Sequence, residues 1–503
     1  MKKFLTLFAV WVVLFSCAGT DKGGDNGPLV FDELSLDMDK MTSVEKTLVF
    51  YDGAVVNYRA YEKIYYVKNV ADPAYHYLNM YIPESAYTGN GETSIFLWNT
   101  VGGYMASRYQ EPTVADVAGR ALREGFIVVI PGVRGWNSMV DQAGEPVAVP
   151  LGSPAPEGAV YTGRAPAAIV DLKAAVRFLR HNDAVMPGSA ERIISDGTSA
   201  GGALSALLGA SGNNPAYEPY LRALGAAEER DDIFAAICYC PIIDLEHADM
   251  AYEWLYRGTN AQARSLQPGE TAVSNELAAL YPAYLDSLGL RMSDGTAVSS
   301  ANYMTYLKAF LLNSAQTARN ADFDIPGETG VILNKNFQGT PGELVLDIDM
   351  DKYLNYVVVR TPLKTPPAFD QFGVLNQGPS AENRLFGGEK GDSANFTTYS
   401  AEKSNSSVID EALQSRVDLM NPMNFIGDGV SRVAKNWYLR HGSVDRDTAF
   451  QIPINLYTKL NNFGYDVDFR LTWNRGHQGD YDLDDLFMWI KKIVKAAAET
   501  KNL

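Results

Sequence analysis

Basic residues are scarce in this 503-residue chain, which has 43 lysines and arginines against 60 aspartates and glutamates. Its formal net charge is −17 at pH 7. Proteins that bind nucleic acid concentrate basic residues, because these pair with the phosphate backbone. The charge balance therefore argues against a nucleic-acid partner. It also argues against attachment to anionic lipid by charge alone.

Cysteine is rare as well, with three residues in the chain. Cys238 and Cys240 are two positions apart in an apolar stretch that predicts a strand, so their side chains would lie on the same face. That spacing is poor for a disulfide, which needs close, facing β-carbons. We predict two buried thiols in a protein that relies on its hydrophobic core.

The apolar run at the N-terminus is too short to cross a bilayer as a helix. Met1-Lys2-Lys3 precedes this run, which ends in "LFSC" and passes into the polar "AGTDKGGDNG". The pattern resembles a bacterial lipoprotein signal, which predicts export and lipid anchoring to a membrane through Cys17. Cleavage without lipidation is the alternative, and it would give a secreted protein.

From about residue 31, short apolar runs alternate with helical patterns. "SIFLWNT" (Ser94–Thr100) and "GFIVVIPG" (Gly125–Gly132) are typical of strands buried on both faces of a parallel sheet. "KIYYVKNV" (Lys63–Val70) and "YHYLNMYIP" (Tyr75–Pro83) predict an antiparallel pair, and Ala165–Asn182 predicts an amphipathic helix. This order predicts an α/β fold with a mostly parallel sheet flanked by helices.

The alternation stops after "AICYCPIIDLEHAD" and resumes near the C-terminus. We predict a signal peptide and linker at residues 1–30 and a discontinuous sheet domain at 31–244 and 431–503. The stretch 245–430 is richer in helix, loop and acidic residues, and we predict that it is a large inserted lid.

The sequence Gly197-Thr198-Ser199-Ala200-Gly201 fits a nucleophile elbow, a sharp turn from a strand into a helix. Small residues are needed there because a strained backbone must present the hydroxyl above the sheet. An apolar strand precedes the turn and a helix follows it. This context favours Ser199 as a nucleophile.

A serine nucleophile needs a general base, and the chain has five histidines. His477 follows the last predicted strand and precedes the last helix, which is where the base lies in such a fold. Asp445 and Asp447 follow the preceding strand, and composition does not decide which of them orients the histidine. Either choice gives the order serine, acid, histidine that is typical of α/β-hydrolases.

An oxyanion hole needs two N–H donors, and the residue after the nucleophile, Ala200, supplies one. The second is expected from "NTVGGYM", which directly follows the strand Ser94–Thr100 and contains Gly102 and Gly103. The acidic runs Asp347–Lys352 and Gly479–Leu486 lack the spacing of a calcium loop. We predict no metal and no cofactor.

Several long blocks together resemble the bacterial tannases, or tannin acyl hydrolases. They include "NTVGGY", "GTSAGGALSALLGASGN", "LEHADMAYEW", "RHGSVDRDT" and "HQGDYDLDDLF". The resemblance implies an α/β-hydrolase fold with a lid and hydrolysis of galloyl esters. It implies that Ser199 is the nucleophile, His477 the base and Asp445 the orienting acid, with the Gly103 N–H in the oxyanion hole.

The resemblance also assigns residues that would bind the galloyl ring. Lys364 in "KTPPAFDQ", Glu382 in "AENRLFG" and Asp447 would hold the three ring hydroxyls, and Ile242 in "YCPI" would form an apolar wall. The substrate would be a small galloyl ester or a tannin. The alternatives are a feruloyl or general carboxylesterase on the same scaffold and, more remotely, a non-catalytic binding protein.

Overall fold

A computed structural model describes residues 29–89, 91–150, 155–259, 264–334, 344–404 and 409–501. The predicted lipidation site Cys17, and nearly all of the predicted signal segment at residues 1–30, lie outside this range. Among the described residues, no helix is both long and apolar enough to span a membrane.

Strands and helices alternate through the first half of the described chain. The strands are β1 Val44–Val49, β2 Val55–Tyr65, β3 Tyr77–Pro83, β4 Ser94–Asn99, β5 Ile127–Pro131, β6 Met139–Val140, β7 Val160–Tyr161, β8 Ser189–Thr198, β9 Ala235–Tyr239, β10 Val331–Asn334, β11 Leu344–Ile348, β12 Asn436–Gly442 and β13 Asp466–Thr472. The helices are α1 Glu84–Tyr87, α2 Val117–Arg123, α3 Ala167–His181, α4 Ala200–Ala210, α5 Glu218–Ala223, α6 Leu245–Tyr256, α7 Pro268–Ser287, α8 Tyr303–Asn320, α9 Met350–Arg360, α10 Ala381–Leu385, α11 Thr398–Ser404, α12 Glu411–Asp418, α13 Gln451–Asn462 and α14 Leu483–Lys501.

Nine strands form one twisted sheet in the order β1-β2-β3-β5-β4-β8-β9-β12-β13. Six consecutive strands of this order run parallel to one another, namely β5, β4, β8, β9, β12 and β13. The remaining strands β1, β2 and β3 form an antiparallel edge. The central strands β4, β5, β9 and β12 are almost wholly buried, as expected for apolar runs covered on both faces. The prediction of a mostly parallel sheet flanked by helices is confirmed.

The antiparallel pair at this edge is present, but the predicted bounds of its first strand were wrong. β2 ends at Tyr65, because the next residues leave the sheet to pair elsewhere. The Phe31 N–H donates to the Lys68 carbonyl at 2.9 Å, and the Lys68 N–H donates to the Gly225 carbonyl at 3.2 Å. Residues 66–70 therefore link the N-terminal segment to the region after α5.

The two thiols are free and buried, as predicted. Cys238 lies within β9, and Cys240 follows its end. The Cys240 thiol donates to the carbonyl of Gln478 at 3.1 Å. This contact ties the end of β9 to the loop between β13 and α14.

The long stretch between β9 and β12 contributes no strand to the nine-stranded sheet in its described part. It contains α6 to α12 and the separate antiparallel pair of β10 and β11. Because β9 and β12 are neighbours in the sheet, this insertion leaves and re-enters at adjacent strands. It corresponds to the predicted lid at residues 245–430, whose exact domain bounds stay a prediction.

Candidate active site

Ser199 occupies the sharp turn between β8 and α4. Its φ of 63° and ψ of −123° form a combination that residues other than glycine seldom adopt. The Ser199 N–H donates to the Tyr239 carbonyl at 2.9 Å, and the Ile242 N–H donates to the Ser199 carbonyl at 3.3 Å. Strain of this kind costs about 1–3 kcal/mol and persists where surrounding structure enforces it, often at functional sites. The predicted strand–turn–helix motif is present.

Glycines flank Ser199 because other backbone passes very close to the turn. A β-carbon at Gly197 would lie 2.4 Å from the Gly201 carbonyl oxygen. A β-carbon at Gly201 would lie 2.8 Å from the carbonyl oxygen of Val101. These distances are too short for nonbonded atoms, so the turn requires glycine at both positions.

Ser199, His477 and Asp445 form a continuous hydrogen-bonded chain. His477 Nε2 lies 2.8 Å from Ser199 Oγ, and His477 Nδ1 lies 2.8 Å from Asp445 Oδ2. The other oxygen of Asp445 accepts from the Asp447 N–H at 2.8 Å. The three residues meet because β8, β9, β12 and β13 are parallel neighbours, so the loops after them lie at one edge of the sheet.

The other four histidines have different surroundings. His441 is buried at the end of β12, and its Nε2 lies 3.8 Å from Asp445 Oδ2, on the same carboxylate that His477 contacts. Burial lowers the pKa of His441 to about 4, so this imidazole is neutral near pH 7. The remaining three contact other side chains: His76 with Asp171, His181 with Ser35 and His247 with Asp244.

The charges near these residues lower the pKa of Asp445 and raise the pKa of His477. Burial opposes ionisation of Asp445, but interactions with His441 and His477 hold the pKa of its carboxyl below the ordinary value. Burial likewise opposes protonation of His477. The hydrogen bond to Asp445 and the charges of Asp445 and Asp447 outweigh burial and the positive charge of Lys364, so the pKa of His477 is raised.

The loop after β4 lies beside the Ser199 turn and carries Gly103. The Asn99 side chain joins the two, since its Nδ2 donates to the Gly201 carbonyl at 2.9 Å and its Oδ1 accepts from the Val101 N–H at 3.2 Å. Gly103 has a φ of 56°. Ala200 is the first residue of α4, where N–H groups lack partners within the helix. The two predicted oxyanion donors thus belong to segments that Asn99 connects.

Three of the four predicted ring-binding residues lie around the hydrogen-bonded chain. The Lys364 ammonium donates to the Asp447 carbonyl at 2.8 Å, and Asp447 Oδ2 is 4.0 Å from His477 Nδ1. Ile242 is bonded through its N–H to Ser199 and is 6% exposed. Glu382 lies on α10 and is half-buried. Burial raises the pKa of Tyr104, and the charge of Glu382 adds to this effect.

Sequence reasoning missed residues that hold the Gly103 loop in place. Besides Asn99, these are Tyr104, whose hydroxyl donates to the Ile242 carbonyl at 2.8 Å, and Trp136, whose indole donates to the Gly103 carbonyl at 2.8 Å. Each contact joins distant parts of the chain, so no local pattern indicates it. The one available signal is an asparagine at the end of a buried apolar strand.

Two groups of described residues bring three potential metal ligands within 4.8 Å of one another. They are Cys240, His441 and Asp445, and Asp445, Asp447 and His477. Both groups include Asp445, whose carboxylate already bonds to His477. A metal in either group would therefore compete with the hydrogen-bonded chain for this carboxylate.

Comparison with known proteins finds close relatives over nearly the whole chain. This protein is 38% identical to the tannase of Fusobacterium nucleatum, and the match covers 92% of this chain and 99% of that one, with a TM-score of 0.80. The tannin acyl hydrolase from Lactobacillus plantarum gives 38% identity, the same coverage and a TM-score of 0.79. A tannin acyl hydrolase solved in complex with ethyl gallate gives 37% identity, 92% and 99% coverage and a TM-score of 0.79.

A family model described as BD-FAE matches residues 159–282, which include the Ser199 turn. A comparison with curated proteins finds no match. The structural relatives confirm the α/β-hydrolase fold and the resemblance predicted from the sequence blocks. With this identity across the full length of its relatives, the chain belongs to the bacterial tannases, which are carboxylic ester hydrolases.

Proposed function

We propose that this protein is a serine esterase that hydrolyses galloyl esters, releasing gallic acid and an alcohol through an acyl-enzyme intermediate. The observation that carries the proposal is the chain of 2.8 Å contacts from Ser199 Oγ through His477 to Asp445. It occurs in a chain that is 37% identical to a tannin acyl hydrolase solved with ethyl gallate. Gallate esters and hydrolysable tannins are the proposed substrates.

In the first half of the reaction, Ser199 Oγ attacks the ester carbonyl while His477 Nε2 takes its proton. Asp445 holds the His477 ring with Nδ1–H toward its carboxylate and stabilises the imidazolium that forms. The N–H groups of Ala200 and Gly103 bond to the developing oxyanion. His477 then returns the proton to the leaving alkoxide, and the galloyl group remains on Ser199.

In the second half, His477 takes a proton from water, and the resulting hydroxide attacks the acyl-enzyme carbonyl. The same two N–H groups stabilise the second oxyanion. Collapse of this intermediate breaks the bond to Ser199, whose oxygen regains its proton from His477. Gallic acid leaves, and the enzyme returns to its starting protonation state.

Recognition of the acyl group follows from the chemistry of a trihydroxylated ring. Phenolic hydroxyls donate to the carboxylates of Asp447 and Glu382 and accept from the ammonium of Lys364. A partly buried site built for these hydroxyls rejects an acyl group that lacks them, since its own polar groups would be left unpaired. Ile242 supplies the apolar contact with the ring.

The proposal is tested by comparing methyl gallate, methyl ferulate and a small acetyl ester as substrates of the mature protein. Methyl gallate should have the highest kcat/KM, and Ser199→Ala should lower turnover of all three by about 10⁴- to 10⁶-fold. Faster hydrolysis of methyl ferulate than of methyl gallate would refute the substrate assignment. Activity that survives in Ser199→Ala would refute the mechanism.

We also propose that the protein is exported and anchored to a membrane by a lipid on Cys17, because the sequence around this cysteine resembles a lipoprotein signal. Expression in a bacterium fed a labelled fatty acid tests this. The label should enter the wild-type protein and be absent from Cys17→Ser. Equal labelling of both, or labelling of neither, would contradict the lipid anchor.

A further inference from the structure

Both backbone polar groups of Lys364 are held by side chains of the inserted stretch. Lys364 lies shortly after α9, in a segment that forms neither a helix nor a strand. Its N–H donates to the Tyr252 hydroxyl at 3.1 Å, and its carbonyl accepts from Arg264 Nη2 at 3.1 Å. These two side-chain bonds take the place of the backbone pairing that a helix or strand would give to this residue.

The Tyr252 hydroxyl also bonds to the loop that follows β12. It donates to the Arg446 carbonyl at 2.9 Å, and Arg446 stands between Asp445 and Asp447 in the chain. Tyr252 lies on α6 and is fully buried. Burial raises the pKa of its hydroxyl, which therefore keeps the proton that it donates. One hydroxyl thus joins the backbone of Lys364 to the loop of the two aspartates.

Arg264 is fixed in turn by Glu253, the residue that follows Tyr252 on α6. Its guanidinium makes two bonds to the Glu253 carboxylate, at 2.7 and 2.6 Å, and Ser274 Oγ donates to the same carboxylate. The side chains of Arg264 and Glu253 are both buried. Because a bidentate pair of this kind has a defined geometry, the nitrogen that reaches the Lys364 carbonyl has a fixed position.

The far end of the Lys364 side chain packs on the same group of residues. Its Nζ lies 4.1 Å from the centre of the Phe369 ring, and that ring meets the Tyr252 ring edge to face, with 6.3 Å between the centres. An ammonium is attracted to the face of an aromatic ring. Lysine has a flexible stem, so contacts at both of its ends are needed to direct the ammonium toward Asp447.

We propose that Tyr252 and Arg264 are positioning residues that fix the Lys364 ammonium and thereby set the preference of this enzyme for a hydroxylated acyl ring. The inference rests on the proposed function, because that function gives the ammonium a ring hydroxyl as its partner. Both residues act through Lys364. A displacement of the ammonium by about 1 Å weakens its bond to a ring hydroxyl, whereas an acyl group without hydroxyls has no such bond to lose.

Tyr252→Phe tests the proposal, because it removes the shared hydroxyl and keeps the buried ring. The measured quantity is kcat/KM for methyl gallate divided by kcat/KM for a small acetyl ester. We expect this ratio to fall about tenfold, since the Lys364 N–H loses its partner and the residue is held less firmly.

Tyr353→Phe is the matched control. Tyr353 is a buried tyrosine of the inserted stretch, on α9, and its hydroxyl donates to the Ser443 carbonyl at 2.7 Å in the same loop after β12. Its loss should leave the ratio unchanged. The double variant of Tyr252→Phe with Lys364→Met separates positioning from a general effect on the site. If Tyr252 acts through the Lys364 ammonium, adding Tyr252→Phe to Lys364→Met should change the ratio by less than about twofold.

Arg264→Lys is the second variant, and it decides the matter if Tyr252→Phe does not fold. It keeps the positive charge beside Glu253, but a single ammonium cannot replace both the bidentate pair and the bond to the Lys364 carbonyl. The ratio should fall by about threefold or more.

The positioning role is refuted if the folded variants keep the wild-type ratio, or if Tyr252→Phe lowers it equally with and without Lys364→Met. Those results leave the proposed function intact as long as the wild-type enzyme prefers methyl gallate. A wild-type enzyme that does not hydrolyse methyl gallate refutes the proposed function itself.

Discussion

The Lys364 ammonium donates a hydrogen bond of 2.8 Å to the backbone carbonyl of Asp447. This bond joins the inserted stretch between β9 and β12 to the loop that also carries Asp445. The charge of Asp447 raises the pKa of His477, whereas the positive charge of Lys364 lowers it. The pKa of His477 therefore depends on residues from both parts of the chain.

Asp447→Asn should move the acidic limb of the pH profile toward lower pH. His477 must be neutral to accept the Ser199 proton, so activity is lost as pH falls through its pKa. The Asp447 charge helps to raise that pKa, and its removal lowers it. The measurement is kcat/KM against pH with a small acetyl ester, because this substrate does not use the ring-binding role of Asp447.

Lys364→Met should shift the acidic limb of the pH profile in the opposite direction to Asp447→Asn. Lys364 lowers the pKa of His477, so its loss should move the acidic limb toward higher pH. Asp351→Asn, at the start of α9, removes a carboxylate from an exposed position and should leave the limb in place. Shifts of the same direction in Asp447→Asn and Lys364→Met would contradict the electrostatic account.

Glu382→Ala should reduce the preference for gallate more than general esterase activity. Loss of a charged hydrogen-bond acceptor for a ring hydroxyl should lower kcat/KM for methyl gallate by about 10- to 100-fold. The acetyl ester has no ring hydroxyls, so its turnover should change little. Parallel measurements with the two esters provide the check, and equal losses would argue against binding of the ring by Glu382.

The sequence predicted those parts of the site that depend on local pattern and chain order. The turn at Ser199 is specified by the small residues around it, and His477 follows from its place between the last strand and the last helix. Composition left Asp445 and Asp447 equivalent. Three-dimensional packing separates them, because Asp445 is 1% exposed and bonded to His477, whereas the Asp447 side chain is 34% exposed.

What the sequence did not predict depends on contacts between distant segments. β1 pairs with β2 at the edge of the sheet, and most of its residues are at least partly exposed, so it lacks a strong apolar signal. A groove of about 780 Å³ beside Lys364 likewise has walls from three segments, at residues 267–270, 364–371 and 375–378. Asn99 illustrates the same limit, since its partner Gly201 is 102 residues away.

Asn99→Ala should slow the chemical step, because the two predicted oxyanion donors would no longer be held in position by the Asn99 side chain. The amide of Asn99 is the bridge between Val101, on the Gly103 loop, and Gly201, at the start of α4. A displacement of about 1 Å at such a site can cost about 100-fold in rate, and oxyanion contacts strengthen in the transition state. We therefore expect kcat for methyl gallate to fall by up to about 100-fold with little change in KM.

A purely structural role for Asn99 would lower stability without this kinetic signature, so a matched buried asparagine is needed as control. Asn182 also bridges backbone groups, accepting from the Leu36 N–H at 2.7 Å and donating to the Leu34 carbonyl at 3.1 Å. Both alanine variants leave buried polar groups unpaired and should lower the free energy of unfolding by about 1–3 kcal/mol per group. Only Asn99→Ala should lower kcat, because Asn182 follows the end of α3 and contacts the N-terminal segment. Equal effects of the two variants on kcat would show that Asn99 acts on the whole fold and has no special part in positioning the oxyanion donors.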